Sequence, residues 1–166
     1  MALTYNLVPG TKPLRLTSIR HLLALAVLVS AYVSSAPAQQ LTPKLQNAIG
    51  QWQVINADGT KGGHVETYLE NGKLLGRVTA ARPGRDPNSL CEKCPGALKN
   101  QRIMGMVVLR DFRPEGDDWV GGTLLDPENG KVYKGKIWAI GKDKLGMRGY
   151  VAISLIGRSA TWERLP

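Results

Sequence analysis

Two cysteines spaced Cys-x-x-Cys are the residues of this sequence whose types and spacing most plainly suggest chemistry. Cys91 and Cys94 lie in "SLCEKCPGALKN", and the chain has no others. A thioredoxin-like redox pair needs its first cysteine at a helix N-terminus after a buried strand, because the helix end stabilises the thiolate. Here the turn-forming stretch "RPGRDPNSL" precedes the pair and Pro95 follows it, with no strand-helix-strand unit in view. The context therefore argues against redox catalysis.

Metal and haem chemistry at this pair meet similar difficulties. Structural zinc takes four Cys or His ligands, and the two histidines are His21, in a predicted leader, and His64. Covalent haem requires a histidine directly after the second cysteine, where this chain has Pro95. The remaining interpretation is a Cys91–Cys94 disulfide that braces a loop, contributing roughly 2 kcal/mol by the chain-entropy estimate. Thiol-disulfide exchange at Cys91 and Cys94 is the one enzymatic activity that stays open as an alternative.

Other reactive side chains do not converge by pattern. The sequence has no nucleophile elbow, no Walker motif and no HExxH. Asp117 and Asp118 fall in a predicted turn, Asp111 and Asp126 at strand ends, and His64 on a polar strand face. A catalytic site needs an acid, a base and a nucleophile in register. We therefore predict a protein without enzymatic activity, cofactor or metal.

The first residues resemble an export signal. Arg15 and Arg20 precede the apolar run "LLALAVLVSAYV", which is followed by "SSAPA". A basic segment, a dozen apolar residues and an A-x-A site are typical of a secretory signal peptide, whereas a membrane anchor needs around 20 apolar residues. We predict residues 1–38 as the signal peptide, cleavage after Ala38, and a periplasmic or secreted domain of residues 39–166 that does not span the membrane.

The predicted mature chain keeps an excess of basic side chains. The whole sequence has 22 Lys and Arg against 13 Asp and Glu, and three of the basic residues leave with the leader. The remaining cations are scattered among acids, as in "RDFRPEGDDW", without the basic stripe that nucleic-acid binding requires. The charge predicts no nucleic-acid partner and at most weak contact with anionic envelope components.

The element pattern is nearly all strand. "LTPKLQNAIG" is a short helix candidate, with Thr42 as its cap, Pro43 in its first turn and Gly50 at its end. Tight-turn sequences such as "ENG" and "DPENG" then separate eight strand-like runs, which favours an antiparallel sandwich or barrel. The runs are "QWQVIN", "HVETYL", "KLLGRVTAA", "RIMGMVVLRDF", "DWVGGTLLD", "KVYKGKIWAI", "KLGMRGYVAI" and "SATWERL".

Alternation along these runs predicts which face is buried. In "HVETYLE", for example, Val65, Thr67 and Leu69 share one face and the polar residues the other. Glycines on the inner faces, such as Gly76 and Gly135, suit a sheet that bends to close. "IMGMVVL" is apolar on both faces, so we expect another segment to cover it.

Two features resemble known families. Gly50-Gln51-Trp52 opens the first strand directly after the short helix, and Trp162-Glu163-Arg164 closes the last strand. This is similar to the lipocalin and calycin arrangement, in which a basic residue of the final strand covers the tryptophan at the barrel bottom. A wider resemblance, to the exported bacterial DUF2147 family, rests on "GQW", "DPNSLCEKCPGALKNQRIMGMVVL", "DWVGGTLLDPENGKVYKGKIW" and "LGMRGYVAISLIGRSATWER". It implies an all-β, single, antiparallel up-and-down lipocalin-like barrel of about eight strands with a short N-terminal helix. It implies no substrate.

Two functions fit these expectations. The first is binding of a small apolar or amphipathic ligand in the lumen, because an eight-stranded barrel can hold one small ligand or be filled by side chains. Arg164 then caps Trp52. The second is a cell-envelope interaction protein with a filled barrel, which uses the disulfide-braced loop of residues 82–101. The predicted lumen residues are Trp52, Val65, Leu69, Val78, Met106, Val108, Tyr133, Ile137 and Met147.

Overall fold

The computed structural model describes residues 40–56, 58–151 and 157–166. The predicted signal peptide and its cleavage site lie outside the described residues, and so does the end of the predicted strand "KLGMRGYVAI". From Gln40 onward the chain forms one compact unit.

The described residues form one short helix and eight strands. The helix α1 covers Pro43–Asn47, and a single 3-10 turn covers Gly96–Leu98. The strands are β1 Gly50–Ile55, β2 Lys61–Glu70, β3 Lys73–Ala80, β4 Val107–Glu115, β5 Asp118–Asp126, β6 Lys131–Ile140, β7 Lys144–Tyr150 and β8 Gly157–Arg164.

These strands close into one barrel. Each strand pairs antiparallel with its neighbours in sequence, and β8 returns to pair with β1. The predicted antiparallel up-and-down barrel with a short N-terminal helix is therefore confirmed, and closure resolves the choice between sandwich and barrel. A closed ring leaves no edge strand to pair with other chains.

The helix begins where the sequence predicts and ends earlier. Thr42 has extended backbone angles and its hydroxyl accepts a hydrogen bond from the Leu45 N–H, while Pro43 occupies the first turn. The C-cap is Ala48, and Gly50 is already the first residue of β1. Gly50 therefore does not end the helix. It has a different role, described with the closed end of the barrel.

The longest predicted strand differs most from the structure. "RIMGMVVLRDF" predicts a strand from Arg102, but β4 begins at Val107, and Arg102 makes only an isolated bridge with Leu90. Gly105 has a φ of 82°, which breaks the extended run. Within β4, Asp111 has a φ of 60°, and the pairs Gly76–Leu109 and Leu74–Phe112 place two residues three apart on the inner face. A bulge of this kind breaks strict alternation.

The two ends of the barrel differ in their connections. The closed end is formed by α1 and the short β2–β3, β4–β5 and β6–β7 turns. The open end is formed by the β1–β2 and β5–β6 connections, by the end of β7 and the start of β8, and by the long loop, residues 81–106, between β3 and β4. Large side chains without solvent exposure fill the interior towards the closed end: Trp52, Leu74, Phe112, Trp119, Ile137 and Leu145.

Candidate functional site: a cavity at the open end of the barrel

A cavity of about 1310 Å³ occupies the open end of the barrel. Its inner walls include apolar side chains from all eight strands, and its rim consists of polar and charged side chains from the strand ends and connections at that end. Ligand pockets for drug-sized molecules span roughly 300–1,000 Å³. The space is therefore large enough for a small ligand.

Five of the nine predicted lumen residues line this cavity. They are Val65, Val78, Val108, Tyr133 and Met147. Val65 pairs with Val78 across β2 and β3, which places both on the inner face as the alternation predicts.

The other four predicted lumen residues do not line it. Trp52 and Ile137 are fully buried, among the side chains that fill the barrel towards the closed end. Leu69 is 40% exposed because it lies one residue before the end of β2, where the barrel wall stops. Met106 precedes β4 and is buried in the cluster that includes both cysteines. Alternation predicts a facing direction, and it does not predict depth along the barrel.

Sequence reasoning missed several lining residues. The cavity is also lined by Leu109, Leu124, Ala160 and Trp162. His64 lines it too, although the alternation of its strand predicts that it lies on the polar face. Ala160 and Trp162 alternate along β8 and pair with Met147 and Leu145, so the period-two pattern of "SATWERL" could have identified them. For Leu109 no such signal exists, because the β4 bulge decides its direction.

A hydrogen-bonded threonine organises the closed end. Thr67 is 1% exposed, and its hydroxyl donates to the Ala48 carbonyl at 2.6 Å. The same oxygen accepts from the Trp52 Nε1–H at 2.8 Å and from the Gly50 N–H at 3.0 Å. A buried hydroxyl with all its hydrogen bonds made fixes its neighbours firmly. One side chain thus joins β2 to β1 and to the residue that ends α1.

Arg164 closes the barrel below Trp52. Its guanidinium carbon lies 4.2 Å from the centroid of the Trp52 ring, and its Nη1 donates to the Ile49 carbonyl at 3.1 Å. Its remaining nitrogens donate to the carbonyls of Asn47 and Lys142. A guanidinium stacked on an indole contributes about 0.5–2 kcal/mol, depending on desolvation.

The same arrangement explains Gly50. Its φ is 148°, and a Cβ there would lie 2.1 Å from Arg164 Nη1. Any side chain would collide with the guanidinium in its place over the indole. The glycine of Gly-x-Trp is therefore required by the arginine of the last strand.

The long loop forms one side of the cavity rim. Arg82, Arg85, Asp86 and Ser89 line the cavity, and the Cys91–Cys94 disulfide, with a Cα–Cα distance of 5.4 Å, lies further along the loop. Both cysteines are buried. The backbone also bonds to itself across the loop, from Cys91 N–H to the Gln101 carbonyl at 2.8 Å.

This loop is docked onto the β5–β6 turn. The Glu128 carboxylate pairs with both Arg82, at 3.3 Å, and Arg85, and Cys91 Sγ lies 3.3 Å from the Pro127 carbonyl oxygen. Gly130 has a φ of 72°, and a Cβ there would lie 1.7 Å from the Lys93 carbonyl oxygen. The disulfide-braced segment therefore fits directly against the turn. Leu98 of the loop packs against the buried cluster, and so do Ile103 and Met104, which begin the apolar "IMGMVVL" stretch.

Exposed ion pairs and turns shift the pKa values of four side chains. Hydrogen bonds from the Thr60 hydroxyl and N–H lower the pKa of Asp58, in the β1–β2 turn. At the closed end, the Lys44 ammonium and the Thr42 hydroxyl lower the pKa of Asp117, and Asp117 raises that of Lys44. Lys73 likewise lowers the pKa of Asp111. Within residues 40–56, 58–151 and 157–166, no three His, Cys, Asp or Glu side chains are grouped to hold a metal ion.

Comparison with known proteins identifies the family. The model of the family described as "Uncharacterized protein conserved in bacteria (DUF2147)" matches residues 50–164. The chain belongs to the DUF2147 family. No curated protein matches it. The matched range starts at the Gly50 of the closed end and stops at the Arg164 that covers Trp52, so it spans all eight strands of the barrel.

A solved structure supports the fold. Protein HP1028 from Helicobacter pylori, reported to belong to the lipocalin family, is similar to this DUF2147 chain with a TM-score of 0.64 and 23% identity. The match covers 72% of this chain and 83% of HP1028. At that identity the likeness establishes a lipocalin-like fold and not a shared ligand. In the part of the chain that is described, no helix is long and apolar enough to cross a membrane.

Proposed function

We propose that this protein binds a small apolar or amphipathic molecule in the cavity at the open end of its barrel. The observation that carries the proposal is the cavity itself: about 1310 Å³ of space opens at one end of the barrel, between apolar inner walls and a polar rim. Protein interiors normally close-pack, so a space of this size must be wet, collapsed or occupied. Occupation by an apolar ligand fits the wall chemistry, and we infer a binding protein rather than an enzyme.

We further propose that the protein acts in the periplasm or outside the cell. The predicted signal peptide supports this, and so does the disulfide, since disulfides persist in oxidising compartments. A ligand carrier in that compartment needs no nucleotide, metal or redox group.

Ligand occupancy is tested first on protein purified from the periplasm without detergent. Native mass spectrometry should show a discrete extra mass that is lost on denaturation, and the denatured mass should fit cleavage after Ala38 and two hydrogens lost at the disulfide. After extraction, a dye that fluoresces in apolar surroundings should bind with one-to-one stoichiometry.

Cavity-filling variants locate that binding. Val78→Trp and Ala160→Trp place an indole in the cavity and should abolish dye binding while the far-ultraviolet circular dichroism stays unchanged. Thr161→Trp is the matched control, because Thr161 is exposed and precedes the lining Trp162 on the opposite face of β8. Unchanged dye binding in both folded cavity variants would refute the proposal.

The long loop supports a second candidate function, binding of an envelope component. Leu90, next to the buried disulfide, is 44% exposed, and exposed apolar side chains on scaffolded loops are typical binding elements. Leu90→Ser should then weaken retention of the protein on isolated envelope fractions without changing dye binding. Equal retention of the variant and the parent would remove this candidate.

A further inference from the structure

The rim of the cavity has more cations than carboxylates. The carboxylates are bonded within the rim, whereas some of the cations are not paired with them. Its basic side chains are Lys61, Arg82, Arg85, Lys131 and Arg158, and its acidic ones are Asp86, Asp126 and Glu128. A net positive rim around an apolar space raises the local concentration of anions.

The rim carboxylates are engaged in holding the loops. Glu128 pairs with both Arg82 and Arg85. Asp126 accepts from the Glu128 N–H at 2.9 Å and from the Asn129 Nδ2 at 2.7 Å, and Asp86 accepts from the Asn88 N–H at 2.8 Å. The acids and two of the arginines therefore serve the rim's own structure.

Three cations of the rim, Lys61, Lys131 and Arg158, are in none of the ion pairs among the described residues, and all three are exposed. The backbone N–H of Lys131 donates to the Asn129 Oδ1 at 2.8 Å, and its side chain is on the same strand pair as Asp126. The three cations lie on three different strands, β2, β6 and β8, so they are spread along one half of the entrance rather than forming one patch. Their common feature is the cavity that all three line.

The wall below Arg158 is apolar and short. Ala160 and Trp162 follow Arg158 on the inner face of β8, and at about 3.3 Å per residue and a strand tilt of about 40° the distance from Arg158 to Trp162 spans roughly 10 Å of depth. The site thus combines a positive entrance with an apolar interior that suits a medium-length chain.

We propose that the cavity selects amphiphiles with an anionic head group, the apolar part between the strands and the head group at the entrance near Lys61, Lys131 and Arg158. This rests on the proposed function, because it specifies the ligand class of the same cavity. A carboxylate and a phosphate monoester share the required charge, and the experiment separates them.

The test uses ligands with one chain and different head groups. Calorimetric titration compares decanoate, decyl phosphate, decanol and decyltrimethylammonium, the ionic ligands below their micelle concentrations and decanol below its solubility limit. At low salt the two anions should bind roughly tenfold more tightly than decanol, and the cation more weakly, because several exposed cations at the entrance each attract the head group weakly. The preference should shrink as salt is added. The tighter of the two anions identifies the head-group chemistry.

Two triple variants assign the preference to the entrance. Combined Lys61→Gln, Lys131→Gln and Arg158→Gln should bring decanoate to the affinity of decanol while leaving decanol binding unchanged. Combined Lys99→Gln, Lys134→Gln and Lys142→Gln removes the same charge from exposed residues that do not line the cavity, and it should keep the preference.

The outcomes separate this inference from the proposed function. Equal binding of decanol and decanoate by the parent protein, or loss of the preference in the control triple variant, would overturn the head-group inference while leaving lumen binding intact. Binding of none of the four ligands by ligand-free protein would overturn both.

Discussion

The closed and open halves of this barrel are built from the same strands but have different interiors. Towards the closed end, inward positions hold Trp52, Phe112 and Trp119, which are without solvent exposure. Around the cavity, Gly149 and Ala160 stand among larger inward side chains such as Tyr133 and Trp162. The strand framework is the same in both halves, so small residues at some inward positions help to leave an eight-stranded barrel hollow at one end.

The two halves should respond differently to loss of a tryptophan. Trp119→Ala should lower the free energy of unfolding by about 3–5 kcal/mol, because it leaves a closed void and removes the Nε1 hydrogen bond to the Leu45 carbonyl. Trp162 borders an existing cavity, so Trp162→Ala should lower the free energy of unfolding by about half as much. Urea denaturation measures both, and equal losses would contradict the distinction between a solid and a hollow half.

The glycine below Trp52 tests how tightly the closed end is packed. Gly50→Ala should cost about 2–3 kcal/mol, because it combines positive-φ strain with displacement of Arg164. Gly59→Ala is the control, since Gly59 also has a positive φ, of 82°, but nothing lies within 4 Å of its added Cβ. It should cost about 1 kcal/mol. A cost no greater at Gly50 than at Gly59 would mean that the guanidinium moves aside freely.

The open half should be easier to loosen locally. Gly130→Ala should push the long loop off the β5–β6 turn and cost about 1–2 kcal/mol, with faster hydrogen exchange in residues 81–106 and little change at the closed end. Gly141→Ala, in the β6–β7 turn, has a φ of 64° and open space around it, so it is the matched control. Faster exchange throughout the barrel in Gly130→Ala would show that the halves are not independent.

Acid should have the smallest effect, and Asp117 allows it to be tested at the closed end. The pKa of Asp117 is lowered in the folded protein, so its contribution to stability is present above the ordinary value of 3.8 and is lost as the pH falls through the folded value. We expect Asp117→Asn to reduce the drop in the urea midpoint between pH 5 and about pH 3. Glu92→Gln, an exposed acid in the long loop, should leave that drop unchanged. An equal drop in Asp117→Asn and the parent would exclude this carboxylate as a contributor.

The sequence predicts facing directions far better than depth. Alternation places Val65, Val78 and Tyr133 inside because a sheet with one buried face has a period of two. The same alternation includes Leu69, which faces inward but lies beyond the packed interior, and it fails at Leu109 because a bulge follows. Whether the interior is filled depends on which residues of the eight strands lie at the same depth along the barrel axis. That is set by the register of each strand against its neighbours, which the sequence of one strand does not reveal.

The long loop was predictable in part for a similar reason. The spacing of Cys91 and Cys94 and their unfavourable context for redox chemistry indicate a brace. Its contact with Glu128 and Gly130 joins segments that are distant in sequence, and no local pattern reveals it.

The contact between β1 and β8 has a consequence for how the protein folds. Among the described residues, Trp52–Arg164 and Gln53–Glu163 are paired there, the Leu165 N–H donates to the Gln51 carbonyl at 2.9 Å, and the Arg164 bond to Ile49 joins residues 115 positions apart. Contacts of such sequence separation form late, because the chain must first lose the entropy of closing the loop. We expect the ring to close as the final step of folding, after the hairpins have assembled. Until then, the Arg164 guanidinium does not cover the Trp52 ring.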